Sequence, residues 1–178
     1  PFASCLMTDP LDRGKDMYHG GCRIVAPWVI AGMGLGTATD SLSAIKKFVY
    51  EDKIITLEEL KHVLETDFEG REDLRIMFDR TTPTFGNDIE DVDEIARRLM
   101  ESYFDGVKKL NDEYKDTPWS FITSQFSYTS QVSYGEVVGA MPNGRKAREP
   151  VSDNAGPSQG KDTGGPTKLV NSMLKKGY

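Results

Sequence analysis

The apolar residues Ile89, Val92, Ile95, Leu99, Tyr103, Phe104, Val107 and Leu110 recur at intervals of three and four, the period of one face of an α-helix. No other stretch of the chain fixes its local conformation so firmly. Asn87 or Asp88 can cap this helix, and Asp88, Glu90 and Asp91 suit the positive end of its dipole. Pro118 closes the region.

Shorter helices precede it. Leu42, Ile45, Phe48 and Val49 share one helical face in DSLSAIKKFVYED, with Thr39 or Asp40 as the expected cap. Thr56 and Glu59 have the spacing of a capping box, which predicts a helix from Leu57 to about Phe68. Gly70 punctuates the chain, REDLRIMFDR predicts a further short helix, and Pro83 breaks the run. Gly32, Gly34 and Gly36 predict a turn or a close backbone approach rather than a helix.

After Pro118 the character changes. WSFITSQFSYTSQVSYGEVVGA is rich in aromatic and β-branched residues and reads as extended strand. Ser127, Thr129 and Gln131 would then line one face and Phe126 and Tyr128 the other, so the strand either borders a polar pocket or presents a face to water. Residues 143–167, NGRKAREPVSDNAGPSQGKDTGGPT, have the composition of a solvated linker, yet an apolar-spaced segment, KLVNSML, follows at once. Asn143-Gly144 marks a tight turn, and Arg145 and Lys146 can bind nearby carboxylates or carbonyls.

With 178 residues, 38% hydrophobic and 28% charged, the chain suits one globular domain or a large part of one. A net charge of −6, with bases interleaved among acids, argues against nucleic-acid binding. No apolar run reaches the roughly 18 residues needed to span a bilayer. The first residues, PFASCLMTDP, carry neither a basic leader nor an apolar signal region, so the protein is expected to be cytoplasmic and not membrane-bound. Cys5 and Cys22 are too few for a disulfide framework and read as reduced, buried thiols, with a single bridge as the alternative. The start without Met and the stop at KKGY suggest an excised piece of a longer protein.

Candidate chemistry is sparse. The glycine cluster before a helix invites a phosphate cradle, but it lacks both the dinucleotide spacing and a Lys-Ser/Thr pair, which favours tight packing. His19 lies near Cys22 without a companion at ligand spacing, so Tyr18–Cys22 reads as a structural loop. His62 falls inside the second helix and reads as solvated or core-edge, and the acids of DIEDVDE as a solvated, dipole-matched face. No metal site is expected.

Five segments in order carry a resemblance: GKDMYHGG, TDSLSAIKKFVYEDKIITLEEL, FEGREDLR, FGNDIEDVDEIA and GEVVGAMPNGRKAREPVSDNAGPSQGKDTGGPT. Together they resemble glycyl radical enzymes of the pyruvate formate-lyase type, over the stretch between the catalytic cysteine and the glycyl radical loop. The resemblance implies an α/β fold: part of a ten-stranded barrel, mostly helical here with a few strands, with residues 1–178 forming a partial domain. It implies a lyase, decarboxylase or dehydratase acting on a small organic substrate by radical cleavage, or a radical addition. A glycyl radical would be installed by a separate iron–sulfur, S-adenosylmethionine-dependent activase, and the complete enzyme would be a homodimer.

The family's catalytic cysteine stands in Cys-Cys or Gly-Cys-X-Glu. Cys22 follows Gly21, but Ile24 stands where Glu would; Cys5 has Ser4 before it and Met7 two positions after. The Arg-Val-X-Gly-Tyr loop that stores the radical does not occur among these residues. No catalytic residue and no cofactor ligand is therefore carried over, and Phe126, Tyr128 and Thr129 remain the substrate-pocket candidates. Alone, the chain is expected to be inactive and to need the rest of its parent enzyme. The alternative is a non-catalytic scaffold or assembly piece that works with a complementary chain.

Overall fold

The computed structural model describes residues 2–22, 28–117, 119–124 and 129–175. Its helices are α1 (Thr8–Arg13), α2 (Leu35–Ile45), α3 (Leu57–Glu65), α4 (Glu72–Thr81), α5 (Glu90–Glu113), α6 (Ser130–Glu136) and α7 (Pro166–Leu174). Its two strands, β1 (Trp28–Ala31) and β2 (Phe121–Ser124), pair in one small sheet. The architecture is thus mostly helical among the described residues. They divide into two compact units, one containing residues up to Ile30 together with Phe104–Ser124, the other Ala31–Tyr103 together with the residues from Thr129 onward.

The first unit joins the residues around β1 to those around β2. The N–H of Trp28 donates to the Ser120 carbonyl at 2.7 Å. The Asn111 side chain meets Phe121 with both its groups: its Nδ2 donates to the Phe121 carbonyl and its Oδ1 accepts the Phe121 N–H, each at 2.8 Å. An amide side chain thereby plays the part of a strand neighbour. Tyr114 lies against Trp119 and Phe121, and Trp28 against Trp119, with ring centroids 5.6–6.2 Å apart.

The second unit has a core of Ala44, Phe48, Ile55, Leu60, Val63, Phe68, Leu74 and Phe78, drawn from α2 and its π-helical continuation to Glu51, α3, α4 and the connections on either side of α3. Phe48 stacks on Phe78 at 4.7 Å, and Phe68 meets Phe78 edge-on at 6.3 Å. A smaller cluster of Phe85, Val92 and Ala96 receives Met173 of α7. The apolar face of α5 is therefore met by a helix that lies beyond the linker-like stretch.

Local chemistry predicts α3 correctly. Glu59 N–H donates to Thr56 Oγ1 at 3.2 Å while Thr56 N–H donates to Glu59 Oε2 at 2.9 Å, closing the capping box. The helix stops at Glu65 rather than near Phe68, because Asp67 and Phe68 turn into the left-handed region at φ 51° and 63°. α4 forms where expected, the apolar-spaced segment KLVNSML lies in α7, and α5 ends at Glu113, ahead of Pro118.

Other expectations are overturned. α2 begins at Leu35 behind Gly34, which has φ 81°, so Gly36 is helical and Thr39 and Asp40 lie buried inside the helix instead of capping it. Asn87 and Asp88 do not cap α5; their side chains bond to Lys161, Gly164, Asn171 and Lys175, partners the local sequence does not show. Of the expected long strand, Phe121–Ser124 is extended as β2 and Ser130–Glu136 is helical, while residues 125–128 lie outside the described residues. Strand propensity yields there to tertiary contact, since Gln131 accepts the Val151 N–H and Gly135 lies against the Glu149–Pro150 backbone.

The capping box makes a direct prediction. Thr56→Ala should lower stability by about 1 kcal/mol in a urea melt without changing the fold.

Candidate functional site

The linker-like stretch is not a linker. Met141 N–H donates to the Arg145 carbonyl at 2.9 Å and Gly144 N–H to the Met141 carbonyl at 3.0 Å, which makes the turn at Asn143-Gly144. Gly144 has φ 86°, and a Cβ there would stand 2.7 Å from the Asp79 nitrogen and 2.8 Å from the Arg75 carbonyl oxygen. Only glycine lets the turn lie this close to α4.

Arg145 follows, and it is 7% exposed. Its guanidinium donates to the carbonyls of Gly139 at 2.7 Å, Gly135 at 2.9 Å, Pro150 at 3.2 Å and Val138 at 3.5 Å, and also to that of Glu149. Burial lowers its pKa from the ordinary value, while Glu149 and Asp67 oppose the shift. A planar fork with five donors can tie α6 to the returning chain in this way, whereas a lysine could not.

Further on, residues 152–158 close the N-terminus of α2. Leu35 N–H donates to the Asn154 carbonyl at 3.2 Å and Thr37 N–H to Ser152 Oγ at 3.0 Å; Ser152 N–H returns a bond to Thr37 Oγ1 at 2.7 Å. These are cap interactions supplied by a distant segment. Gly36 permits them, because a Cβ at that position would meet the Gly156 carbonyl oxygen at 2.5 Å. The close-packing reading of the glycine cluster holds at this residue.

Asp40, 0% exposed, joins the same assembly. Its Oδ1 accepts the Phe85 N–H at 2.7 Å and its Oδ2 the Ser158 hydroxyl at 2.6 Å. Burial pushes its pKa up to about 6, against the lowering effect of those hydrogen bonds and of Lys161. Lys161 Nζ in turn donates to the Asp79 carbonyl and to Asp79 Oδ1, both at 2.6 Å.

Thr37, Arg75, Asp79, Ser152, Ser158 and Lys161 contribute to a cavity of about 350 Å³. Arg75 in its lining faces Glu72, Lys161 faces Asp79, and Arg145 is committed to backbone carbonyls. The arrangement holds chain segments together and presents hydroxyls and paired charges. Among the described residues no group of three or more His, Cys, Asp or Glu could hold a metal ion.

Of the pocket candidates, Phe126 and Tyr128 lie outside the described residues, and Thr129 is exposed just before α6. The Tyr18–Cys22 loop is held locally: Asp16 accepts the Tyr18 N–H at 3.0 Å and the Ser4 hydroxyl at 2.9 Å, bonds that hold its carboxyl well below the usual range. His19 Nδ1 is 3.5 Å from Asp16 Oδ1, and its side chain is open to solvent. The expectation of buried thiols is wrong, for Cys5 is exposed and Cys22 half-buried, although both are free. His62 is exposed, as expected.

The acids at the start of α5 are not all solvated. Asp93, 1% exposed, faces Lys175 Nζ at 3.4 Å, and the same ammonium binds Asp88 at 2.7 Å and Glu90 at 2.9 Å. Lys175 and then Asn171 hold the Asp88 carboxyl below its usual range. Sequence reasoning missed Asp40, Ser152 and Ser158. One signal for Asp40 was available: it shares a helical face with Ala44 and Phe48, both buried.

Arg145 should be the most sensitive of these residues. Arg145→Ala strands several buried carbonyls and should cost roughly 3 kcal/mol or more in denaturant unfolding, with new proteolytic cleavage between residues 138 and 150.

Comparison with known proteins supplies the wider frame. A family profile described as pyruvate formate lyase-like matches residues 1–135. The chain is 35% identical over 179 residues to trans-4-hydroxy-L-proline dehydratase of Clostridioides difficile, covering 98% of this chain and 22% of that protein. It is 42% identical over 144 residues to isethionate sulfite-lyase of Bilophila wadsworthia, covering 78% of this chain and 16% of that protein. The fold superimposes with a TM-score of 0.82 on the glycerol-bound form of the B12-independent glycerol dehydratase from Clostridium butyricum, at 33% identity, covering 98% of this chain and 22% of that one. The chain therefore spans about a fifth of the length of the relatives it matches. On this match in sequence and in fold, the chain belongs to the pyruvate formate-lyase-like family of glycyl radical enzymes.

Proposed function

We propose that this chain is part of a glycyl radical enzyme that eliminates a leaving group from a small organic substrate by radical carbon–heteroatom cleavage. The carrying observation is the match over 98% of the chain to a protein named as a dehydratase. A sulfite-lyase and a glycerol dehydratase among the relatives support the same class of reaction. Within this reading, residues 1–178 form a partial pyruvate formate-lyase-like domain and contribute helices, short strands and the NGRKA connection to a ten-stranded barrel. The segment from β2 to α6, with Phe126, Tyr128 and Thr129, borders the substrate side; its alternation of aromatic and hydroxyl residues supports that assignment.

The radical chemistry does not fit the side chains present. Neither Cys5 nor Cys22 stands in a Cys-Cys or Gly-Cys-X-Glu context, Cys5 is exposed, and no radical-storage loop occurs in residues 1–178. No radical step is assigned to this chain. Its part is to hold the long path from Val138 to Gly165 in place through Arg145, Asp40 and Lys161, which keeps the neighbouring protein wall closed to water. Exposed Trp28, Trp119, Val137 and Leu174 fit a segment whose apolar surface the rest of the enzyme covers. An iron–sulfur activase and a second copy of the complete enzyme complete the set of proposed partners.

The test uses the full reading frame that contains this segment, activated anaerobically with its cognate activase and S-adenosylmethionine. A glycyl radical doublet in electron paramagnetic resonance is expected, with loss of water or sulfite from one of a panel containing glycerol, trans-4-hydroxy-L-proline and isethionate. No doublet is expected from residues 1–178 alone. A doublet from the short chain would overturn the assignment of the radical site elsewhere, and its absence from the complete protein would favour a scaffold.

A further inference from the structure

Asp40 is the only acid or base in α2. Two neutral donors reach it from two other parts of the second unit, the Phe85 amide from the turn at residues 84–88 and the Ser158 hydroxyl from the path after Asn143. The charged group acting on it is Lys161, whose ammonium is committed to the Asp79 carbonyl and carboxylate. An ionised carboxylate here is therefore fully buried, with both hydrogen bonds coming from uncharged groups. The neutral acid keeps both bonds without that charge: Oδ1 still accepts from Phe85, and Oδ2–H can donate to Ser158 Oγ.

We propose that Asp40 is a proton-dependent latch that fastens the 84–88 turn and the 152–161 path to α2 and grips more firmly in its neutral form. Taking up one proton from solvent strengthens the grip, and releasing it loosens the path. The direction follows from linkage. The native pKa, about 6, lies above the ordinary value of 3.8, so the grip is full at low pH, declines as pH rises from about 4 through about 6, and is level above that. A separation of about two units corresponds to a change of about 100-fold in the opening equilibrium. At neutral pH the latch is in its weaker state. The segment that caps α2 is thus held less firmly than its hydrogen bonds alone suggest.

Asp40→Asn supplies the reference, because its amide can accept from Phe85 and donate to Ser158 at every pH. Amide hydrogen exchange at Phe85, Thr37 and Ser152 is compared between the two proteins, each at the same pH, from pH 4.5 to 8. The expected result is a wild-type deficit, relative to the variant, that grows by roughly 25-fold between pH 4.5 and pH 8. A wild-type to variant ratio that stays constant across the range overturns the latch. Should Asp40→Asn fail to fold, the carboxyl carbon-13 resonance of Asp40 in the wild type decides: a midpoint near 6 supports the proposal, and a midpoint in the ordinary range near 4 refutes it.

Discussion

A helix that begins beside other chain segments must find acceptors for its first amides, and α2 finds them 115 residues away in sequence, at Ser152, with Asn154 close by. This cap in trans is the constraint on which the second unit depends. It explains why the chain passes α2 twice, why glycine stands at position 36, and why a polar, Pro- and Gly-rich stretch has fixed conformation. The stretch has few apolar side chains to bury, so hydrogen bonds hold it. Along the stretch they involve first the Arg145 guanidinium, then the amides of α2, and last Asp40 and Asp79.

Connections, unlike helices and strands, carry backbone groups that no regular ladder pairs. Arg145 addresses this by satisfying carbonyls that no strand or helix would pair. Lys175 does comparable work at the far end, where α7 is fastened to the acids that open α5. Position in the fold, rather than reactivity, accounts for these charged residues.

Elements governed by neighbours in sequence were readable. The Thr56–Glu59 capping box, α4, α5 and α7 follow from spacing and local hydrogen bonding. Elements governed by distant partners were not. Thr39 and Asp40 looked like caps because nothing near them showed that Gly34 starts the helix earlier, with acceptors supplied from residues 152–154. Residues 130–136 carry strand-forming side chains, yet Gly135 must fit against Glu149 and Pro150, and a helix provides that fit. Asp93 looked solvated until Lys175, beyond the long path, was placed against it.

By itself the sequence determined the helical periods, the punctuation by Gly and Pro, and the membership of a family, since all three reside in the order and spacing of residues. Only the tertiary structure decided what the charged and polar residues of the second unit are for. A carboxylate or guanidinium has the same formula in water as in a core. Burial and the choice of partner set its pKa and its role, and both come from segments that meet only when the chain has folded.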